Sequence, residues 1–344
     1  MLKKIGSLLC VGILMCGMVS AASAELKVGM VFDVGGKGDQ SFNDSAYRGL
    51  VWAADTLGIK HVEIEPGADA DRETGLRMIA SQGFDLVIGV GFLFTDAITA
   101  VAQEFPDTKF WIVDGVIPDQ PNVSSLTFTE NDGSFLVGVI AGVKAKADGK
   151  DTLGFVGGMD IPLIHKFEAG YREGVKYACP ECKLLSDYAG STPQAFADPV
   201  KGKELALAQI DKGAYVIYHA AGLTGAGVYE ACKERKVFVI GVDSNQNYLG
   251  NVKETGENFG LTSMLKQVDV AVYLTIQDLI DGKFQAGVRS FGLADTVTIQ
   301  DVTYHGVYYA MDDYNKALVT PDMIEKVTEA EKKIIAKEIV VPQE

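Results

Sequence analysis

Short hydrophobic runs alternate with amphipathic segments along most of this chain. The first run, Lys27–Val34, has the composition of a buried strand, and apolar positions then recur at helical spacing from Ser45 to Leu57. Further strand candidates follow: His61–Glu65, Leu86–Gly91, Lys109–Gly115, Leu153–Gly158, Leu184–Ala189, Tyr215–Gly222 and Val237–Asp243. This alternation of strands and helices predicts an α/β protein built from doubly wound parallel sheets.

The length of the chain indicates two domains. At 344 residues it exceeds the size to which one hydrophobic core usually grows. A polar stretch at 148–151 follows the helix predicted over Gly133–Lys146, and we place the domain break there. A strand at Gly260–Met264, a helix at Val268–Ile280 and an extended stretch from Gly287 to Ile299 come after the second sheet. This tail indicates that the chain crosses back to the first domain.

These observations give an expected division of the chain into two lobes. The first lobe comprises 25–148 and 262–288, and the second comprises 149–261 and 289–344. The last helix, predicted over Pro321 to Lys337, is free in this scheme to pack back on the first lobe.

The first 24 residues have the features of a secretory signal peptide. Lys3 and Lys4 precede an apolar stretch from Leu8 to Val19, and small residues end it at Ala24. The apolar stretch is shorter than the roughly 18 residues that a spanning helix needs. We therefore expect cleavage after Ala24 and a free periplasmic protein. A lipid anchor is the alternative, but Cys16 lacks the small preceding residues of a lipoprotein signal.

Charge and cysteine content narrow the possible partners and folds. The formal net charge is −15, which disfavours nucleic acid as a partner. An oxidising compartment favours a disulfide between Cys179 and Cys182, and Cys232 is then left unpaired and is expected to be buried. The alternative is a thioredoxin-like redox site. We disfavour it because this C-x-x-C segment follows a predicted helix, so no helix N-terminus lowers a thiolate pKa.

Glycine and polar residues follow most of the predicted strands. In doubly wound sheets, ligands bind outside the carboxyl ends of the strands, so these loops are expected to converge. The loop after the first strand is the most informative, because Phe42 lies there beside Asn43, Asp39 and Asp44. Exposing a phenyl ring forfeits roughly 1.5–3 kcal/mol of burial energy. We therefore expect either the neighbouring helix or a ligand to cover Phe42.

Each of the other strand-end residues also has a purely structural interpretation. The glycine-rich segment Gly222–Gly227 lacks the lysine of a phosphate-binding P-loop and is typical of a tight strand-to-helix turn. Asp114 and Asp243 are either helix caps or ligand acceptors. Phe196 precedes a predicted helix and could serve as its hydrophobic staple. The loops taken together therefore indicate a ligand site more strongly than any single residue does.

Signatures of catalysis are thin in the sequence. The four histidines, His61, His165, His219 and His305, do not have the spacing of metal ligands, and neither H-E-x-x-H nor G-x-S-x-G occurs. We therefore expect a binding protein rather than an enzyme, with no metal and no cofactor.

The motifs together carry a resemblance to a known family. The segment Asp33–Gly49 resembles the Asp-x-Gly…Asp-Lys-Ser-Phe-Asn-Gln motif of the basic membrane protein family, the purine nucleoside receptors that feed ABC transporters. Other matching blocks occur in order along the chain: Glu130–Gly138, Gly154–Met159, Phe167–Tyr171, Ala221–Gly227, Val239–Asp243, Leu261–Lys266 and Lys337–Pro342. The resemblance covers nearly the whole chain after the leader.

This resemblance implies a fold and a set of ligand contacts. Two type I periplasmic-binding lobes, joined by hinge crossovers, would close over a nucleoside. Phe42 and Phe196 would stack on the base, and Asp243 and Lys266 would hold the ribose hydroxyls, with Gly222 letting the backbone approach the sugar. The residues expected to read the base edge are Asn43, Asp39 and Asp114. One departure concerns Asp39, because the segment Lys37-Gly38-Asp39-Gln40 stands where members often show paired aspartates followed by lysine.

The function that these expectations favour is that of a monomeric periplasmic receptor. It would bind adenosine, guanosine or inosine and present the closed form to an ABC permease in the inner membrane. One alternative is a receptor for a sugar or another small nutrient. An exported nucleoside hydrolase is a second, although the sequence lacks the dense aspartate cluster of a calcium-dependent hydrolase. An adhesin or extracellular signalling receptor is a third, since a fold alone does not define a function.

Overall fold

The computed structural model describes residues 25–67 and 71–344. The predicted signal peptide, 1–24, lies outside the described residues. Within the described residues, strands and helices alternate as the hydrophobic pattern predicts.

The first third of the described chain runs from β1 to α4. Its elements are β1 (Lys27–Val31), α1 (Phe42–Leu57), β2 (Lys60–Ile64), α2 (Asp71–Ser81), β3 (Leu86–Val90), α3 (Thr95–Glu104), β4 (Lys109–Val113), β5 (Val123–Phe128) and α4 (Glu130–Ala147). The middle third contains β6 (Thr152–Met159), α5 (Pro162–Ala178), β7 (Lys183–Gly190), α6 (Pro199–Asp211), β8 (Val216–Ala220), α7 (Gly225–Arg235) and β9 (Phe238–Asp243). The last third contains β10 (Asn251–Val252), β11 (Glu257–Asn258), β12 (Gly260–Lys266), α8 (Val268–Ile280), β13 (Gly287–Phe291), β14 (Thr296–Ile299), β15 (Val302–His305), β16 (Val307–Tyr309) and α9 (Pro321–Ile335).

Two six-stranded sheets define the two lobes. The first sheet has the order β13-β5-β4-β3-β1-β2 and is parallel throughout. The second has the order β16-β12-β9-β8-β6-β7, in which only β16 is antiparallel to its neighbour. Central strands such as β3 and β8 are buried on both faces, as expected where helices cover a parallel sheet. The predicted fold class, two doubly wound α/β lobes, is confirmed.

The chain passes between the lobes three times. It crosses after β5, again after β12, and a third time after β13 on the way to β16. The three connections lie side by side, because Thr129 N–H donates to Phe291 O at 3.0 Å and Gln267 N–H donates to Gly306 O at 3.1 Å. They form the hinge between the two lobes.

The crossovers differ from the lobe boundaries expected from the sequence. The break expected at 148–151 assigned α4 to the first lobe, whereas α4 packs against α5 and α9 in the second. The expected division also gave 262–266 to the first lobe and 289–291 to the second, and the strand pairing reverses both assignments. Two elements made the first crossover hard to place from the sequence. The strand β5, Val-Ser-Ser-Leu-Thr-Phe, lacks an apolar run, and α4 is buried around most of its circumference.

A disulfide joins Cys179 and Cys182 just beyond the last turn of α5. Cys232 is free and buried. The structure therefore forms the disulfide that the sequence favoured. Its position, directly after the end of α5, is that of a structural cross-link.

Replacing both Cys179 and Cys182 by alanine is expected to lower the free energy of unfolding by only about 2 kcal/mol, because the stabilisation from a disulfide grows with the length of the loop it closes and this loop is very short. Guanidinium denaturation of the variant measures this loss. Wild-type protein treated with a reductant serves as the control and should lose the same amount. A variant as stable as the oxidised wild type, with no effect of the reductant, would contradict the disulfide.

Candidate ligand-binding cleft

A cavity lies between the two lobes; it encloses about 70 Å³, and about 590 Å³ when the open space at its mouth is included. The cavity lies outside the carboxyl ends of β1, β3 and β4 in one lobe and of β8, β9 and β12 in the other. This is where doubly wound sheets bind ligands.

The structure brings all the site residues predicted from the sequence to this one cavity. They are Asp39, Phe42, Asn43, Asp114, Phe196, Gly222, Asp243 and Lys266. The first four belong to the first lobe and the last four to the second. Their individual contacts with a ligand stay predictions.

Each lobe contributes one predicted aromatic ring to the cavity wall. Phe42 is the first residue of α1, and Phe196 ends a 3₁₀ turn at Pro193–Phe196 after β7. Both are half-buried. The Phe196 ring lies directly over Gly158, where a Cβ atom would collide with it. A glycine in β6 therefore lets the Phe196 ring pack closely against the strand.

Asp39 and Asn43 shape the wall of the cavity with polar atoms that already have protein partners. The Asp39 carboxylate accepts from the backbone N–H groups of Ser41, Asn43 and Asp44 at 2.8–3.1 Å, which caps the start of α1. The Asn43 side-chain amide donates to Asp39 at 3.0 Å and to Val34 O at 3.3 Å. Burial raises the pKa of Asp39, while the backbone hydrogen bonds oppose that shift.

Asp114 and Asp243 occupy corresponding places in the two lobes. Asp114 follows β4 and Asp243 ends β9, and their φ angles are 65° and 63°. Aspartate tolerates this left-handed conformation better than most residues. In each lobe the loop after the adjacent strand, β3 or β8, contains a glycine with positive φ, Gly91 at 112° and Gly222 at 54°. The two lobes thus present the same pair of features to the cleft.

Lys266 links these groups at the centre of the site. It is the last residue of β12, and its side chain is 2% exposed. Its Nζ lies 2.5 Å from Asp114 Oδ2 and 3.1 Å from Glu130 Oε1. A buried ammonium group requires such partners, since the desolvation penalty of an unpaired charge is several kcal/mol.

Aromatic rings complete the surroundings of the Lys266 ammonium group. The ring centroids of Phe42, Phe128 and Phe167 lie 5.1–5.5 Å from Nζ, which is the range of cation–π contacts. Phe42 and Phe128 come from the first lobe and Phe167 from the second. The cation is therefore held where both lobes meet.

The buried charges shift the pKa values of the site. Burial raises the pKa of Asp114 to about 6, with Lys266 opposing and Glu130 adding to the rise. Burial likewise raises the pKa of Asp243 to about 6, against the effects of Lys266 and of the Ser41 hydroxyl. Burial alone would lower the pKa of Lys266, but the three carboxylates of Asp114, Glu130 and Asp243 raise it. Lys266 is therefore charged at neutral pH.

Direct hydrogen bonds join the lobes at one side of the cavity. The Ser41 hydroxyl of the first lobe donates to Asp243 Oδ2 at 2.5 Å, and the Ser244 hydroxyl donates to Ser41 O at 3.0 Å. The Gln246 side-chain amide donates to Gln40 O at 2.9 Å. The structure therefore represents a form in which the lobes are in contact.

Several residues of the site were missed by the sequence reasoning. Asp33, which is ion-paired with Arg72 at 3.2 Å, and Phe167 both line the cavity. So do Leu163 and Ile164 from the first turn of α5. The apolar residues of α5 follow helical spacing, and this pattern is the same for a helix face that packs on the core as for one that lines a cavity. The position of Asp33 at the end of β1 was the available signal.

Two further features of the described residues bear on the class of protein. No group of three histidine, cysteine or carboxylate residues is arranged there to hold a metal ion. No described helix is both long enough and apolar enough to cross a membrane.

Comparisons with known proteins agree with the motifs. The family model described as "Bmp: ABC transporter substrate-binding protein PnrA-like" matches residues 26–344. The chain is 35% identical to an ABC transporter nucleoside-binding protein, BmpA, of Lactococcus lactis, over 95% of this chain and 92% of the relative. It is 33% identical to an uncharacterized lipoprotein of Pyrococcus abyssi, over 92% of this chain and 84% of the relative.

A solved structure of an ABC transporter solute-binding protein from Aeropyrum pernix is similar in both fold and sequence. Its TM-score is 0.80 at 31% identity, with 93% of this chain and 94% of that chain covered. The type I periplasmic-binding fold expected from the resemblance is confirmed. The chain belongs to the PnrA-like Bmp family and is an extracytoplasmic solute-binding protein of an ABC transporter rather than an enzyme.

Proposed function

We propose that this protein binds a purine nucleoside between its two lobes and presents the closed form to an ABC permease in the inner membrane. The observation that carries the proposal is the composition of one cavity. It combines an aromatic ring from each lobe, Phe42 and Phe196, with the charged set of Asp114, Asp243 and Lys266. The nucleoside-binding relative from Lactococcus lactis supports the same ligand class.

The base would stack between Phe42 and Phe196. Aromatic rings in contact have centroids about 4.5–7 Å apart, and stacking tolerates different bases because each has a flat face. Asp114 Oδ1 is buried without a hydrogen-bond partner among the described residues, so it needs a donor. An N–H or amino group on the purine edge supplies one. Asn43 and Asp39 would contribute to this wall chiefly by fixing its shape, because their polar atoms are used within the protein.

The ribose would lie against Asp243 and Lys266. A carboxylate accepts hydrogen bonds from two hydroxyl groups, and the ammonium group of Lys266 balances its charge. Gly222 would let the backbone approach the sugar, and its φ of 54° together with the 3.2 Å between an added Cβ atom and Phe196 O favours glycine at this position. The ligand would be uncharged, because Lys266 is already paired with carboxylates and phosphate groups would meet Asp114 and Asp243.

We expect the receptor to act as a monomer in the periplasm after cleavage at Ala24. A lipid anchor is disfavoured by the residues before Cys16, although the Pyrococcus abyssi relative is named a lipoprotein. Intact mass of the exported protein distinguishes a free N-terminus at Glu25 from a lipid-modified cysteine.

The ligand class is tested by denaturing the purified protein and identifying any released small molecule by mass spectrometry. Calorimetric titration of the recovered compound then measures rebinding. A purine nucleoside that rebinds supports the proposal. A protein that ignores adenosine, guanosine and inosine but binds a sugar or an amino acid would overturn it.

Replacing either Phe42 or Phe196 by alanine is expected to weaken nucleoside binding by about 1–3 kcal/mol, the range for one stacked base. Titration calorimetry with inosine measures the change. Phe284→Ala is the matched control, because Phe284 is also half-buried but lies outside the cavity. Unchanged affinity in both cleft variants would exclude the aromatic sandwich.

Replacing Asp243 by asparagine is expected to weaken ribonucleosides more than free purine bases. A hydrogen bond to a charged group contributes about 1.5–3 kcal/mol, and only the ribonucleoside has the hydroxyls to donate it. Affinities for inosine and hypoxanthine measure the difference, with Asp211→Asn on the surface of α6 as control. Equal losses for both ligands would place Asp243 away from the sugar.

Nucleoside affinity is expected to fall as the pH drops through about 6. Burial raises the pKa of Asp114 and Asp243 to about 6, and each must be ionised to accept hydrogen bonds from the ligand. Binding is therefore strongest above pH 6 and is lost progressively below it. Calorimetry across this range checks the effect, and Asp243→Asn should make the dependence shallower. An affinity that does not change with pH would contradict these roles.

A further inference from the structure

Glu130 is a buried carboxylate in the hinge that the proposed ligand contacts do not use. It is the first residue of α4, directly after the first crossover, and its side chain is 1% exposed. It does not line the cavity. Burying a carboxylate so completely is costly unless it is paired with a cation. The partners of its two carboxylate oxygens therefore indicate its role.

The two oxygens of Glu130 contact two lysines. Oε1 lies 3.1 Å from Lys266 Nζ, and Oε2 lies 3.4 Å from Nζ of Lys166 on α5. Lys166 is 26% exposed, whereas Lys266 is almost fully buried. Glu130 thus joins the first crossover to Lys266, which immediately precedes the second crossover.

Glu130 adds to the contacts that order the Lys266 side chain. A lysine side chain loses about 1.5–2 kcal/mol of rotamer entropy when it is ordered. Its ammonium group has three N–H donors. Asp114 accepts a hydrogen bond from one of them, and Glu130 forms an ion pair with the group at 3.1 Å. Lys266 also lines the cleft.

Glu130 is one of two carboxylates in direct contact with the Lys266 ammonium group. Without Glu130, Lys266 would have Asp114 as its single direct carboxylate partner within 4 Å among the described residues. The ammonium group would then be drawn toward Asp114.

We propose that Glu130 is a positioning residue for the ligand-binding cleft. From the hinge it holds the ammonium group of Lys266 between the two lobes, so that this group meets the bound solute. The part of this inference that concerns the solute rests on the proposed nucleoside function, and the part that concerns Lys266 does not.

The ligand-free protein tests the contact with Lys266. In the wild type, nuclear magnetic resonance should show a Lys266 ammonium signal protected from exchange with solvent, and Glu130→Gln should abolish this protection. The same variant should lower the pH at which the Asp114 carboxyl group titrates, because the negative charge of Glu130 raises the pKa of Asp114. Glu329→Gln, which removes an exposed carboxylate on α9, is the control and should change neither signal. An unchanged Lys266 signal in a folded Glu130→Gln protein would overturn the proposal.

Affinity measurements separate positioning from a purely structural role. Glu130→Gln should weaken inosine binding about tenfold or more, the equivalent of one hydrogen bond to a charged group. The double variant Glu130→Gln with Lys166→Met removes one charge of each sign and keeps the protein folded if the single variant is unstable. Positioning predicts that stability recovers in the double variant while affinity stays low. Recovery of both would show that Glu130 is merely structural.

The resonance experiment and the affinity measurements together distinguish a failure of this proposal from a failure of the proposed nucleoside function. If the wild type binds no nucleoside, the proposed function fails, but the ligand-free resonance experiment still decides whether Glu130 positions Lys266. If the wild type binds inosine and Glu130→Gln binds it equally well, only the positioning role fails.

Discussion

The arrangement of the cleft and the hinge depends on the burial of one ammonium group, that of Lys266. Lys266 is almost inaccessible to water, and its charge can be accommodated only by carboxylates brought to it from elsewhere in the chain. Asp114 comes from the first lobe, and Glu130 comes from the first crossover. The ion pairs that neutralise the Lys266 charge therefore also hold the two lobes together. This coupling explains why polar groups with raised pKa values lie in a cleft that is otherwise lined with aromatic and aliphatic residues.

The cleft also follows from the repetition of one architecture in two lobes. Each sheet ends a strand with an aspartate in the left-handed conformation, Asp114 or Asp243, beside a loop that contains a positive-φ glycine. Because parallel strands direct their carboxyl ends to the same edge, the two lobes present matching acidic edges to each other. A small polar solute placed between them meets acceptors from both sides. The type I periplasmic-binding fold thus supplies the general site, and the proposed role of the Phe42 and Phe196 rings is to adapt it to a flat ligand.

Much of this arrangement could be predicted from the sequence, for identifiable reasons. Strands of parallel sheets are short apolar runs, so the residues that follow them, such as Asp114 and Asp243, could be assigned to one crevice from their positions along the chain. The first crossover could not be placed, because β5 contains two serines and α4 shows no polar face. Glu130 was therefore assigned no role. Phe167 was missed because an apolar residue at helical spacing has the same pattern whether it faces the core or a cavity.

The most direct test of the account is a crystal structure of the protein grown with inosine. The account predicts a purine ring between Phe42 and Phe196, ribose hydroxyls within hydrogen-bond distance of Asp243, and Lys266 still paired with Glu130. An inosine molecule bound outside this cleft, or a cleft that stays empty at saturating inosine, would contradict it.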